Sequence, residues 1–372
     1  MRNAIDIPVR LLMGPGPSDV HPRVLAAMAR PTIGHLDPVF VALMDDIKQQ
    51  LRLAFQTRNE LTFPISGPGS TGMEACFVNL LEPGDTAIVC INGVFGGRMK
   101  ENVERCGAKA VVVQDDWGKP VDPDKVDAAL KANPGAKLLA FVHAETSTGV
   151  RSDAATLCRL ARAAGVLTVV DAVTSLGGIA VDVDGWGADA VYSGSQKCLS
   201  CPPGLSPVTF GPRVLETVKA RKTKVQSWFL DLSLITAYWG GEGARTYHHT
   251  APVNALFALH EALILLHEEG LAQAWARHAA RHRELVAGLE SLGLSLPVAP
   301  PDRLPQLNLV SIPAGVEDAP VRRALLDTYG LEIGGGLGAF AGKAWRIGLM
   351  GHSASARHVL TCLAALNSVL GR

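Results

Sequence analysis

The chain has 372 residues, of which 48% are hydrophobic and 19% charged, and its 35 basic and 35 acidic residues give a formal net charge of zero. This composition is typical of a globular protein with a large core and excludes an extensively disordered chain. A net charge of zero provides no electrostatic argument for nucleic acid or an anionic membrane surface as a partner. No apolar run is long enough to span a bilayer, so we expect neither a nucleic-acid nor a membrane partner.

The N-terminal segment carries charges at Arg2, Asp6 and Arg10 and lacks a continuous apolar core, which argues against a signal peptide. The seven cysteines are an odd number and are scattered through apolar segments. This pattern indicates reduced thiols rather than a disulfide framework. We therefore expect a cytoplasmic protein.

Seven short apolar runs are predicted to be β-strands, and they read in chain order LTFPIS, TAIVCI, KAVVVQ, KLLAFVH, VLTVVDAV, ADAVYSG and LSPVTF. Segments with helical spacing, such as GMEACFVNLLE and AATLCRLARAAG, lie between them. Unbroken apolar strands that alternate with helices predict an α/β fold with a mostly parallel seven-stranded sheet covered on both faces.

The pattern changes after residue 251. Two long helices are predicted on either side of Gly270, followed by a weak strand LNLVSIP, a helix from Val321 to Tyr329, a strand AWRIG and a final helix from about Ser353. Such a mixture is typical of a smaller C-terminal α+β domain. The predicted limits are an N-terminal arm over 1–20, a large domain over 21–251 and a small domain over 252–372.

Polar residues that directly follow apolar strands are the candidate ligand-binding groups, because open α/β sheets bind ligands beyond the carboxyl ends of their strands. The turn SGPGSTG leads into a helix N-terminus that would suit a phosphate, although a capped turn is the simpler interpretation of this motif alone. Asp171 needs a partner after its apolar strand, either a local cap or a protonated ring nitrogen of a cofactor. The hydroxyls of Thr146, Ser147 and Thr148 form a weaker signal, since hydroxyls in turns are usually local caps.

Lys197 stands between a strand and the segment CLSCPPG, where partial burial would lower the pKa of its amine toward the range that favours a Schiff base. The competing feature is the C-x-x-C pair of Cys198 and Cys201, which is half of a zinc site or a redox pair. A second C-x-x-C is absent and His248 and His249 are adjacent, so structural thiols are favoured and no metal site is predicted. A zinc- or redox-regulated binding protein remains the alternative from another class.

A phosphate cradle, an acid for a ring nitrogen and a strand-end lysine together describe pyridoxal 5'-phosphate. The sequence also resembles the class V, fold-type I pyridoxal-phosphate aminotransferases, particularly the alanine/serine–glyoxylate aminotransferase branch. The resemblance runs from LLMGPGPSDVHPRV to RIGLMG and includes SGPGSTGMEA, LEPGD, VVDAVTSLGG, YSGSQKCLSCPPG and YHHTAPV. It implies Lys197 as the Schiff-base lysine and Asp171 as the partner of the pyridine nitrogen.

The same resemblance implies further site residues. The other cofactor-binding residues that it implies are Gly69, Ser70, Thr71, Phe95, Thr146, Gln196, Tyr247 and Thr250. Tyr247 and Thr250 would reach the phosphate of a neighbouring subunit, which implies a homodimer with shared active sites. Arg346 would bind the substrate carboxylate, with a domain-interface salt bridge as its alternative role, and Gly16 would help shape the pocket. Phe95 and Ser70 stand where the best-known animal members carry tryptophan and histidine.

The predicted function is transfer of an amino group from alanine or serine to glyoxylate or a similar short 2-oxo acid. A ureidoglycine–glyoxylate or phosphonate-linked aminotransferase would keep every residue named above, so both remain alternatives. A cysteine desulfurase would need a mobile nucleophilic cysteine, and Cys198 and Cys201 lie too close to Lys197 for that role.

Overall fold

The computed structural model describes residues 5–240 and 245–371. The strands are β1 (Leu11–Leu12), β2 (Leu61–Ser66), β3 (Thr86–Ile91), β4 (Lys109–Gln114), β5 (Leu138–Val142), β6 (Ala144–Glu145), β7 (Val150–Arg151), β8 (Leu167–Asp171), β9 (Ala190–Tyr192), β10 (Leu205–Phe210), β11 (Leu307–Ser311), β12 (Leu331–Glu332), β13 (Gly334–Gly335) and β14 (Ala344–Gly348). The helices are α1 (Pro22–Met28), α2 (Pro38–Phe55), α3 (Gly69–Leu80), α4 (Val94–Arg105), α5 (Pro123–Ala132), α6 (Ala154–Ala163), α7 (Val183–Trp186), α8 (Pro212–Lys219), α9 (Leu232–Trp239), α10 (Val253–Glu269), α11 (Leu271–Ser291), α12 (Asp318–Tyr329) and α13 (Ala356–Leu370).

The central sheet has seven strands in the order β2-β10-β9-β8-β5-β3-β4. Strands β4, β3, β5, β8 and β9 pair in parallel, and β10 is antiparallel to both of its neighbours. These strands coincide with the seven apolar runs of the sequence. The prediction of a mostly parallel seven-stranded sheet is therefore confirmed.

The interior strands are apolar along their whole length because helices cover both faces of the sheet. All five residues of β5 and of β8 are buried. Helix α3 packs against β9 and β10, whereas α4 packs against β3, β4 and β5. Strand β4 has a neighbour on one side only, and its residues are correspondingly more exposed.

A second, three-stranded antiparallel sheet forms from β11, β14 and β13 near the C-terminus. Its apolar cluster includes Trp345, Leu325 and Leu366, contributed by β14, α12 and α13. Gly270, at φ 87°, separates α10 from α11, in agreement with the predicted pair of helices. The predicted α+β character of the C-terminal region is confirmed by these elements.

Helix α10 packs against α1 and α2, and its apolar side chains belong to the larger hydrophobic cluster. By packing, α10 thus lies with the central sheet, and the change to the second cluster falls within α11. The domain limits proposed from the sequence stay a prediction. In the described part of the chain, no helix combines the length and apolarity that crossing a membrane requires.

The N-terminal segment connects the two sheets at the point where the candidate site forms. Strand β1 pairs in parallel with β12, so Leu11 lies opposite Leu331. A few residues later the Ser18 N–H donates to the carbonyl of Gln196 at 3.0 Å, and the Ser18 hydroxyl donates to the carbonyl of Lys197 at 2.8 Å. These hydrogen bonds and the pairing of β1 with β12 hold the N-terminal segment against the loop that carries Lys197.

Candidate active site

A cavity of about 200 Å³ lies at the carboxyl ends of β8 and β9, beside the N-terminus of α3. This is the position at which parallel α/β sheets bind ligands. The predicted site residues in its wall are Gly69, Ser70, Phe95, Thr146, Asp171, Gln196 and Lys197. The fold thus brings together residues that are up to 128 positions apart in the sequence, from Gly69 to Lys197.

Lys197 is buried, with 8% of its surface exposed, and its ammonium group donates to the carbonyl of Pro15. Burial lowers the pKa of this amine to about 8, and the positive charge of Arg346 acts in the same direction. Gly16 lies directly against the lysine, since a Cβ on Gly16 would stand 2.6 Å from Nζ and 2.7 Å from Cδ. Its φ of 106° favours glycine, and a larger residue would also have to displace the end of the Lys197 side chain.

Asp171 is the last residue of β8 and is 3% exposed. Its Oδ1 accepts from the Val173 N–H at 2.8 Å, and its Oδ2 accepts from the Tyr192 hydroxyl at 2.7 Å. Burial raises the pKa of the carboxyl to about 7, although both hydrogen bonds oppose the shift. Because each carboxylate oxygen can accept two hydrogen bonds, Asp171 retains capacity for a donor in the cavity.

The glycine-rich turn brings the N-terminus of α3 to the cavity. The helix begins at Gly69, and no side chain caps it. A Cβ on Gly69 would stand 3.0 Å from Val173 Cγ2, so a larger residue here would have to displace the Val173 side chain slightly. Thr71 donates its N–H to the Pro68 carbonyl at 2.7 Å and does not line the cavity. Free N–H groups at a helix N-terminus are suited to an anion.

Gln196 contributes a buried amide to the same wall. Of the residues that the structure describes, none forms a hydrogen bond with its Oε1. A buried polar atom without a partner is costly unless a ligand or water satisfies it. The amide can turn over to present Oε1 or Nε2, so it can serve either an acceptor or a donor group of a ligand.

Arg346, on β14, reaches the site from the second sheet and is 8% exposed. Its Nε donates to the Gly335 carbonyl at 2.8 Å and its Nη1 to the Thr146 carbonyl at 3.4 Å. Among residues 5–240 and 245–371, no carboxylate lies within 4.0 Å of the guanidinium, so the alternative role in an interface salt bridge is not what the fold provides. Burial lowers the pKa of Arg346 to about 10.

Tyr247 and Thr250 lie outside this cavity. Tyr247 is 62% exposed, and its hydroxyl is 3.4 Å from that of Thr250. Their predicted contact with the phosphate of a neighbouring subunit stays a prediction.

All seven cysteines are buried and free of disulfides. Burial raises the pKa of the Cys198 thiol to about 12 and raises that of Cys201 as well. No group of three or more histidine, cysteine or acidic side chains in the described ranges is placed to hold a metal ion. Cys198 and Cys201 each pack within a hydrophobic cluster, and the interpretation of the pair as structural thiols stays a prediction.

The sequence interpretation missed several residues of the cavity wall, among them Tyr192 and Arg98. Tyr192 ends an apolar strand, so the rule that identified Asp171 would also have identified it. The Arg98 guanidinium lies 4.8 Å from the centre of the Phe95 ring, one helical turn along α4. The spacing of three residues from a predicted ring-stacking residue is the signal that could have found it.

Comparison with known proteins gives the family. The protein-family model described as "Aminotransferase class-V" matches residues 17–347 of the chain. The chain is 41% identical to the alanine–glyoxylate aminotransferase of Oryctolagus cuniculus, over 100% of this chain and 95% of that protein. It is 37% identical to the (S)-ureidoglycine–glyoxylate transaminase of Bacillus subtilis, over 100% of this chain and 93% of that protein.

Two solved structures resemble the fold along its whole length. The alanine–glyoxylate aminotransferase from Nostoc sp. superposes with a TM-score of 0.97 and 46% identity, over 100% of this chain and 97% of that chain. The ureidoglycine–glyoxylate aminotransferase from Bacillus subtilis gives a TM-score of 0.97 and 38% identity, over 100% of this chain and 95% of that chain.

The residues of the cavity fit the cofactor of this family. Lys197 offers an amine of lowered pKa, Asp171 offers a buried carboxylate, and Gln196 has a buried amide oxygen without a partner beside the α3 N-terminus. The amine matches an aldehyde and the carboxylate a ring nitrogen, whereas a phosphate would be bound by donors, namely the N–H groups at the α3 N-terminus and the Gln196 amide turned over to present Nε2. The chain belongs to the class V aminotransferases, in the alanine–glyoxylate branch, and is a fold-type I transaminase that depends on pyridoxal 5'-phosphate.

Proposed function

We propose that this enzyme transfers an amino group from alanine or serine to glyoxylate or a similar short 2-oxo acid. The observation that carries the proposal is a cavity of about 200 Å³ that is lined by Lys197 and Asp171, with the buried Arg346 bonded to the carbonyl of the lining residue Thr146. Both substrates of such a reaction share a carboxylate next to the reacting carbon, and Arg346 is the buried cation available to bind it. The alanine–glyoxylate aminotransferases of Oryctolagus cuniculus and Nostoc sp. support this choice of substrates.

The cofactor-binding roles follow the chemistry of each group. Gly69 and Ser70, with Gln196, would hold the phosphate at the helix N-terminus, and a phosphate contact of Thr71, which does not line the cavity, stays a prediction. Asp171 would accept a hydrogen bond from the ring nitrogen and keep it protonated. The remaining proposed ring contacts are stacking by Phe95 and a hydrogen bond from Thr146 to the ring hydroxyl.

Bound pyridoxal phosphate supplies an aldehyde that takes up the amino group and a ring that withdraws electrons from the α-carbon. Lys197 would move the α-proton, because Nζ with a pKa of about 8 is a neutral base in an appreciable fraction of molecules near neutral pH. Its burial excludes water from the proton that it holds.

Arg346 would orient both substrates through their common carboxylate. Two of its donors already bind the Gly335 and Thr146 carbonyls, which fixes the plane of the guanidinium. A planar guanidinium with a remaining N–H can bind a carboxylate in one orientation. Gly16, packed on Lys197, would leave room for small side chains only.

A second donor, ureidoglycine, is favoured by one specific observation. The Bacillus subtilis enzyme of that name is 37% identical over the whole chain, close to the 41% of the rabbit enzyme, and its solved structure matches with the same TM-score of 0.97 as that from Nostoc sp.. Nothing in the lysine, aspartate or arginine chemistry separates a ureido group from a methyl group. A phosphonate-linked donor is a further alternative.

The proposed function includes a homodimer with shared active sites. Large apolar side chains are exposed at Ile7, Val9 and Trp228, and Tyr247 is exposed outside the cavity of its own subunit. Sedimentation of the cofactor-loaded protein tests this point, and a fully active monomer would contradict it.

The decisive experiment for the proposed function compares amino donors. The purified, cofactor-loaded protein is supplied with glyoxylate and with alanine, serine or ureidoglycine, and kcat/KM is measured for each donor. We expect alanine or serine to be used best. A kcat/KM for ureidoglycine more than about tenfold above both would overturn the proposal in favour of the second donor. The Lys197→Ala variant is the control for turnover that does not use this site.

A further inference from the structure

Glu145 is a fully buried carboxylate next to the cavity to which the mechanism above assigns no role. It ends β6 and is 0% exposed. Its Oε1 accepts from the Ser147 N–H at 3.0 Å and from the Ser147 hydroxyl at 2.6 Å, and its Oε2 accepts from the Phe95 N–H at 3.3 Å. Within residues 5–240 and 245–371, no basic side chain forms an ion pair with it.

The first N–H groups of α4 donate to Glu145 and Ser147, which lie about 50 residues later in the chain, and not to a residue of the helix itself. The residue before the helix is Gly93, which has no side chain to cap it. The Val94 N–H donates to the Ser147 hydroxyl at 3.0 Å, and the N–H groups of Phe95 and Gly96 donate to Glu145. Helix N-termini otherwise leave these donors unsatisfied.

The residue before α4 has to be small because the Glu145 side chain packs against its backbone. A Cβ on Gly93 would collide with Cγ and Cδ of Glu145, so glycine is required where the backbone meets this side chain. Burial raises the pKa of the Glu145 carboxyl, and the hydrogen bonds from Ser147, Phe95 and Gly96 lower it. The charge of Glu145 raises the pKa of Arg346, against the effect of burial, but the two residues form no ion pair. A buried carboxylate that lacks an ion pair is costly, and a neutral serine or threonine cap would satisfy a helix at lower cost.

The position of Phe95 shows what a rigid cap on α4 would do for the site. Phe95 is the second residue of α4 and lines the cavity together with Asp171 and Lys197. Its backbone is held by Glu145 on one side, and Thr146, the next residue after Glu145, lines the same cavity. One carboxylate therefore links two walls of the cofactor site.

We propose that Glu145 is a positioning residue for the cofactor, holding the first turn of α4 so that the Phe95 ring stays against the pyridoxal phosphate site. The inference rests on the proposed stacking role of Phe95. It does not depend on which amino acid the enzyme uses, so an error in the proposed donor would leave it intact.

The test is a double-mutant cycle on cofactor affinity, which needs no turnover. Apoprotein is titrated with pyridoxal phosphate for the parent, Glu145→Gln, Phe95→Ala and the double variant. A glutamine side chain cannot accept from Ser147 and Phe95 with both of its terminal atoms, so one N–H loses its acceptor. We expect each single variant to weaken binding about tenfold, and the double variant to be within about twofold of Phe95→Ala alone, because both changes remove the same contact.

Asp189→Asn is the matched control, since Asp189 is also a buried carboxylate but lies away from the cavity. Its effect on cofactor affinity should be small, and in combination with Phe95→Ala the two effects should simply add. Wild-type affinity in Glu145→Gln, or effects of Glu145→Gln and Phe95→Ala that multiply fully, would overturn the proposal.

If Glu145→Gln does not fold, Ser147→Ala replaces it in the cycle. This variant removes the hydroxyl that joins Val94 to Glu145 and leaves the carboxylate in place. Hydrogen exchange of the apoprotein provides a second readout, since the amides of Val94 to Gly96 should exchange faster than in the parent. Unchanged exchange and unchanged cofactor affinity in Ser147→Ala would contradict the positioning role.

Discussion

The two ends of the central strands each bury an aspartate, and the two aspartates have different partners. Asp189, just before β9, accepts from the Thr168 N–H at 2.9 Å and pairs with Arg213 at 3.1 Å. Asp171, at the opposite end of β8, accepts from Val173 and Tyr192, and in the described ranges no cation lies within 4.0 Å of it. The charge of Asp189, at the amino end of β9, is neutralised by Arg213. The charge of Asp171, at the carboxyl end of β8, is left for a ligand.

Lys197 and Arg346 extend the same contrast to cations. Both are 8% exposed, and the acceptors that they bind are backbone carbonyls and not carboxylates. Burial alone therefore does not identify this active site, because Asp189 is equally buried. The active site is identified by buried charged groups that lack an ion-pair partner at one edge of the sheet.

Removing Lys197 should have the largest effect. Lys197→Ala is expected to reduce transamination by about 10³-fold or more, because it deletes both the covalent attachment and the base that moves the α-proton. Some cofactor should remain bound through the phosphate site and Asp171. The measurement is turnover together with peptide mapping after borohydride reduction of the parent protein. Pyridoxyl attached to another lysine would contradict the assignment.

Exchanging the two aspartates for asparagine tests the contrast itself. Asp171→Asn should lower turnover by about 10²-fold while cofactor affinity changes much less, because the amide no longer keeps the ring nitrogen protonated. Asp189→Asn should destabilise the protein, since it leaves Arg213 without its partner, yet preserve the turnover of the folded fraction. Turnover and thermal unfolding of both variants decide this. Equal losses of turnover would mean that the two ends of the sheet do not differ.

Arg346→Lys should have a smaller effect that is the same for both substrates. The variant keeps the charge but loses the planar fork, and weakened binding of the carboxylate should cost about 2 kcal/mol, the lower end of the range for a disrupted buried charge pair. Single-turnover kinetics with alanine, serine and glyoxylate measure each half-reaction separately. An effect on one substrate alone would show that Arg346 contacts a side chain, and no effect would make it a structural arginine.

The sequence alone was sufficient for the parts of the molecule that have a local pattern. Unbroken apolar runs predicted all seven strands of the sheet, because strands covered on both faces are apolar throughout. Lys197 and Asp171 were found as polar residues after such runs. The order of the strands could not be found, since pairing depends on contacts between distant segments.

Glu145 shows where that approach fails. It follows an apolar run, as Asp171 does, but the hydroxyls beside it suggested only local capping. Its partners Phe95 and Gly96 are about 50 residues earlier in the chain, a contact that spacing cannot reveal. Arg346 was likewise assigned through resemblance, because the pairing of β14 with β13 and the contact with Thr146 exist only in the folded chain.

The pH dependence of stability in the cofactor-free protein offers the finest test of the unpaired charge. Burial raises the pKa of Asp171 from 3.8 to about 7, so between these values the folded protein holds a proton that the unfolded chain has released. The contribution of Asp171 to stability therefore falls as pH rises from about 4 to 7, and the full cost is present above pH 7. Asp171→Asn cannot titrate and escapes this cost. The free energy of unfolding of Asp171→Asn minus that of the parent should therefore be about 2 kcal/mol larger at pH 8 than at pH 5, as measured by urea denaturation of the apoproteins. The same difference at both pH values would show that a group within the protein already neutralises Asp171, as Arg213 does for Asp189.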